Sequence, residues 1–155
     1  MPNSVREDII ANVATALGNV TTGNGYNNTL ASVQRFQQSG LTVATVPTAV
    51  VTFVNESKET GPDFRSTCEL EVSVDVWAVH DTDAVSGDTA TLVDSLAADC
   101  EKAIMADTSR GGKARDCAVR AITPFRLAEG QPFVGTMLSV SISYAHEAGD
   151  PFTVR

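Results

Sequence analysis

The sequence predicts an α+β fold: a mostly antiparallel sheet with two helices packed on one face, extended by a long hairpin and loops. Three observations predict it. Ser4 to Gly18 and Asp88 to Ala106 repeat apolar residues at helical spacing. Thr67 to His80 and Met137 to Tyr144 instead alternate apolar with polar residues. The order helix, two or three strands, helix, two strands runs on without a repeat or linker, as expected for a layer of helices on a sheet.

Ser4-Val5-Arg6-Glu7 has the form of a capping box, in which a serine hydroxyl and a glutamate carboxylate each satisfy an unpaired amide at a helix start. Ile9, Ile10, Val13, Ala16 and Leu17 follow on one face, and Gly18 supplies the stop. Thr21 to Asn28 gathers glycines and asparagines around Tyr26 and reads as a loop. Leu30 to Gln37 has weak strand character. Val46 to Val54 is richer in β-branched residues, with Pro47 confining its start to an edge or entry position. Asn55 to Arg65 is polar, contains Gly61-Pro62 and reads as a long hairpin connection.

In the strand from Thr67 to His80, Leu70, Val72, Val74, Val76 and Ala78 make one face apolar, while Glu69, Glu71 and Asp75 make the other largely acidic. Met137 to Tyr144 alternates likewise, and the two strands are expected to share a sheet. Between them Leu92, Val93, Leu96, Ala97, Cys100, Ala103 and Ile104 mark the buried face of the second helix. Ser109 to Arg115 is a basic glycine loop, Cys117 to Leu127 a further strand, and Gly130-Gln131-Pro132 a turn into the last strand.

A chain of 155 residues fits one domain, residues 1 to 155, able to bury roughly 70% of its unfolded surface. Hydrophobic residues make up 43% and charged residues 19%, and no apolar run reaches the roughly 20 residues of a membrane span. No secretory signal is legible at the start, which sets the expectation of a protein that is not exported. Three widely spaced cysteines, Cys68, Cys100 and Cys117, indicate neither a disulfide framework nor a zinc site and are expected to be buried thiols. Eleven basic against 19 acidic residues leave a formal charge of −8, which opposes tight binding to a phosphate backbone.

His80, Asp81 and Asp83, together with His146 and Glu147, are the residues whose types could hold a metal or move a proton, provided the two strand ends converge. The plainer reading is a solvated turn. Cys117 follows Arg115 closely enough for that charge to lower its pKa, yet no histidine lies near in sequence to complete a nucleophilic pair. Gly111-Gly112-Lys113 follows a helix and lacks the full phosphate-loop pattern. Its reading is a surface connection or a basic contact loop. No cofactor is expected, and no catalytic residue is assigned. The surfaces expected to meet partners are the hairpin with Glu56, Lys58 and Glu59, the aromatic Trp77 among acids, and the loop with Arg110, Lys113 and Arg115.

The chain resembles the tail terminator family of long-tailed phages, also called minor tail or tail-completion proteins. The resemblance rests on the amphipathic opening Val5 to Leu17, on Gly23-Asn24-Gly25-Tyr26 just after it, and on the long acidic strand ending Trp77-Ala78-Val79-His80. A helix and two closing strands finishing near Tyr144 complete it. The resemblance implies a structural virion protein in the phage neck, assembled in the host cytoplasm. Such a protein forms a ring with itself, commonly a hexamer, on the head-proximal end of the tail tube. It meets the tail tube protein and a head-completion or connector protein, and DNA passes through its lumen without sequence-specific binding. No membrane is implied. The alternatives are another head-tail joining protein, a stopper or a tube subunit, and a small metal-assisted hydrolase using His80, Asp81, Asp83 and His146.

Overall fold

A computed structural model of the chain describes residues 1–36, 45–79, 87–126 and 132–155. Helix α1 spans Val5–Gly18 and starts where the Ser4 hydroxyl accepts the Glu7 amide at 3.2 Å. The return half of the capping box gives way to a stronger partner. Both Glu7 carboxylate oxygens take hydrogen bonds from the Arg35 guanidinium, a bidentate charged pair. A short 3-10 turn, Thr22–Asn24, lies in the expected loop.

Six strands follow among the described residues: β1 Ser32–Arg35, β2 Thr48–Thr60, β3 Arg65–Val79, β4 Asp116–Arg126, β5 Phe133–Glu147 and β6 Asp150–Val154. The second helix, α2, spans Gly87–Met105 between β3 and β4. The sheet order is β1-β2-β3-β5-β4, with β6 on the end of β5. Among the described residues only β1 runs parallel to its neighbour.

Alternation explains which way each strand faces. Cys68, Leu70, Val72, Val74, Val76 and Ala78 of β3 and Leu138, Val140, Ile142 and Tyr144 of β5 are buried against Ile9, Val13 and Leu17 of α1 and Leu96, Cys100 and Ile104 of α2. Both helices thus cover one sheet face, as the sequence predicts. Burial of each such aliphatic side chain contributes roughly 1.5 to 3 kcal/mol.

Three differences stand out. Asn55 to Arg65 is not a connection: β2 continues to Thr60, β3 begins at Arg65, and the turn is confined to the residues between. Its polarity arises because most of this arm reaches into solvent. β5 is longer at both ends than Met137 to Tyr144. β6 was not foreseen, since five residues containing a proline carry too little alternation to be read as a strand. The expected turn at Gly130 and Gln131 lies outside the described residues.

On the outer face Trp77 and Phe125 meet across β5, ring centroids 4.4 Å apart and nearly edge to face. Gly135 lies between them in register. A Cβ there would stand 2.4 Å from the Val76 carbonyl oxygen and 2.7 Å from the Phe125 ring, so only glycine lets the rings close over the strand. Replacing Gly135 with Ala is expected to cost about 1 to 3 kcal/mol by overpacking, read from denaturant unfolding, and to shift Trp77 fluorescence.

Candidate functional site

Glu56 and Lys58 were both expected to meet a partner; Lys58 is exposed, whereas the Glu56 side chain is turned inward. They stand opposite Leu70 and Cys68, on the face that carries the helices, whereas Glu59 stands opposite Thr67 on the outer face. The Glu56 side chain is 4% exposed. It accepts the Tyr144 hydroxyl, and its other oxygen pairs with Arg6 of α1 at 3.0 Å and Lys58 at 3.2 Å. Burial alone would raise the Glu56 pKa; the bonds from Tyr144 and Lys58 and the charges of Lys58 and Arg6 outweigh it and hold the carboxyl below its ordinary range. Burial and donation to Glu56 push the Tyr144 hydroxyl up.

His146 is buried at the edge of this cluster. Its Nδ1 lies 2.7 Å from the Glu147 carbonyl, which can only accept, so Nδ1 carries the hydrogen. Nε2 therefore accepts from the Lys58 ammonium at 3.4 Å. Glu147, the other half of the sequence-level pair, lies 3.5 Å from Arg155. His80, Asp81 and Asp83 lie outside the described residues. Among the described residues no group of three or more His, Cys, Asp or Glu could hold a metal ion.

The basic loop after α2 divides its three cations. Asp107 accepts the amides of Ser109 and Gly111, and Arg110, Gly111 and Gly112 take successive positive φ values of 49°, 70° and 80°. Two glycines make such a reversal affordable in conformational terms. The reversal turns Arg110 inward. It is 1% exposed and donates to the Ile104 carbonyl at the end of α2, where carbonyls lack helical partners and the helix dipole is negative. Its Nε and Nη1 are buried with no hydrogen-bond partner among the described residues. Arg110 thus serves the interior, not a partner. Lys113 is half-buried in an ion pair with Asp8 of α1, and Arg115 is exposed.

Cys117 is a buried thiol, as the sequence predicts, and no neighbouring charge brings its pKa down overall. Burial raises its pKa, and the opposing effect of the Arg110 charge is smaller. Burial raises Cys68 as well, and pushes Cys100 up to about 12. These are unreactive thiols.

Sequence reasoning missed Asp99. It lies on the buried stripe of α2, 1% exposed, and fastens the loop after α1. Its oxygens accept the Asn27 amide at 3.2 Å, the Asn28 amide at 2.8 Å and both asparagine side chains at 3.1 and 2.9 Å. Burial would raise its pKa, but these bonds together hold it below the ordinary value. The signal was present: an acid next to Cys100 within an apolar stripe needs partners, and two adjacent asparagines offer them. Lys102 donates to the Gly25 carbonyl at 3.0 Å and lies over the Tyr26 ring, which anchors the rest of the loop.

Besides the outer sheet face with Glu69 and Glu71, the margins and one end of the sheet are exposed. Among the described residues only β5 pairs with β4, and only β3 pairs with β2 beyond Val51. At the hairpin end Phe64 is 76% exposed, with Phe152 at 53% and Val154 at 41%. The Ala148 amide donates to the Phe64 carbonyl at 2.8 Å, so the two hairpin tips are joined. Trp77 is half-buried beneath its own neighbour Phe125.

The chain matches no protein-family model and shows no significant similarity to a curated protein. Among the described residues no helix is long and apolar enough to cross a membrane.

Two measurements check this assignment. Asp99 has a lowered folded pKa, so its stabilisation is complete above the ordinary carboxylate range and is lost as pH falls through the folded value. Replacing Asp99 with Asn is expected to cost about 2 kcal/mol at pH 7 and to flatten the loss of thermal stability between about pH 5 and 3. Replacing Arg110 with Ala is expected to cost about 2 kcal/mol in chemical unfolding, whereas Arg115→Ala should fall within about 0.5 kcal/mol of the parent.

Proposed function

We propose that the chain is a ring-forming tail terminator of a long-tailed phage, a structural subunit that closes the head-proximal end of the tail tube and offers a surface to head-completion proteins. The observation that carries this reading is the sheet's two margins, β4 on one side and the outer half of β2 on the other, each bearing unpaired backbone among the described residues. Unpaired strand margins invite another chain, and two different margins on opposite sides of a subunit favour head-to-tail contact, which closes into a ring when the rotation from copy to copy divides a full turn.

The joined hairpin tips supply a second surface. Phe64, Phe152 and Val154 present apolar area at one end of the strands, suited to contact with a tube or connector protein along the ring axis. Arg115 and Glu59 remain candidates for such contacts, and Trp77 is one only through the part of its ring that Phe125 leaves open. DNA would pass through the lumen, and the −8 charge disfavours its retention.

Light scattering and negative-stain microscopy test the proposal. The expected result is a closed ring, commonly of six copies, formed by the protein alone or on the ends of purified tail tubes. Open-ended filaments of the pure protein would point instead to a tube subunit, and a protein that stays monomeric with and without tubes would overturn the reading.

A further inference from the structure

The geometry points to the specific joint between copies: the outer half of β2 in one subunit pairs antiparallel with β4 of the next, making one continuous sheet across the boundary. The inference rests on the ring reading and names the contact that would build it.

Strand direction is the first support. β2, β3, β5 and β4 alternate in direction across the sheet, so the two margins run oppositely. A neighbour placed by rotation about an axis running with the strands therefore brings its β4 antiparallel to this β2. The alternation continues across the joint without a break, in the geometry antiparallel ladders require.

The second support is that, among the described residues, both margins are open over the same rows. Following the registers across the sheet, Thr52 is level with Ser73, Ser139 and Ala121, and Ser57 is level with Glu69, Ser143 and Asp116. Over the rows where β1 covers β2, Thr48 to Val51, the far margin carries Pro124, level with Ala49. A proline has no amide hydrogen to give a neighbour. The backbone that could not complete a ladder thus lies where β2 needs none.

Charge is the third. Glu59 is level with Thr67 and Ala145, and the Ala145 carbonyl accepts the amide of Arg155 at 3.1 Å. Arg155 and Arg115 on the far margin therefore stand at or beside the level of Glu59 on the near one, and the neighbour's cations would meet this subunit's acid. Asp116 faces Ser57, and Arg115, one residue before it, falls in the row of Lys58, whose charge is already paired with Glu56.

Cysteine pairs test the joint in the full chain, because the native thiols Cys68, Cys100 and Cys117 are all buried. Thr52→Cys with Ala121→Cys, and Ser57→Cys with Asp116→Cys, place thiols in level rows on the outer face; Ser57→Cys with Ala118→Cys detects a slip of two residues. Under mild oxidation at least one double variant should give a covalent ladder up to the ring size on a non-reducing gel. Mixing Thr52→Cys with Ala121→Cys single variants should stop at a dimer, and neither single variant should cross-link to itself. Closed rings in the microscope with no cross-link from any pair would overturn the joint while leaving the ring. Self-linking of Ala121→Cys alone would overturn it in favour of a two-fold contact. A chain that never assembles would overturn both readings.

Discussion

The antiparallel pairing of β3 with β5, unbroken from Arg65 opposite Glu147 to Val79 opposite Phe133, is the constraint on which the remaining geometry depends. With a side-chain period of two, this one register decides which residues face α1 and α2 and which face outward, and a slip of one residue would invert both strands. β2 and β4 inherit their facing from these central strands. Each bears a bulge, at Val54 and Arg120, on neighbouring rows of the sheet. The bulges bend the margins, and on β2 the inward side chains are apolar up to Phe53 and become Glu56 and Lys58 beyond it.

Because the helices cover less length than the strands, the inner face changes character along the sheet. Under the helices it is aliphatic. Beyond them the same face carries Glu56, Lys58, Tyr144 and His146, whose hydrogen bonds and ion pairs satisfy one another and reach Arg6 at the start of α1. The first turn of α1 repeats the device: Arg6, Glu7 and Asp8 each pair with a different segment, β2, β1 and the loop after α2. Exposed pairs of this kind are individually weak, so their main effect here is to orient the helix, while Glu56, nearly buried, cannot lose its partners without cost. Asp99 does for the loop after α1 what Glu56 does for the hairpin.

These internal uses of charge alter how the surface is read. Several charged residues that look in sequence like contacts for a partner are committed to the subunit, Arg110 most completely. What remains for association is the outer sheet face, the backbone of the sheet margins, the joined hairpin tips and the side chains that line them. A subunit organised this way fits a role in which extended surfaces meet copies and neighbours, and that is the basis of the proposed ring.

By itself the sequence determined the α+β class, both helices within a residue or so, the two central strands with their facing, and the burial of all three cysteines, because helical and strand periodicity are local properties that tertiary contact reinforces. It did not reveal that Asn55 to Thr60 is strand, since a polar arm owes its conformation to the partner strand and not to its own composition. Nor could it find β6, or tell that Arg110 points inward while Arg115 points out. Only the tertiary structure decided the strand order, the partners of Glu56 and Asp99, and the matching of open rows on opposite margins. Each of these depends on residues far apart in the chain coming side by side, and no pattern within one segment carries that information.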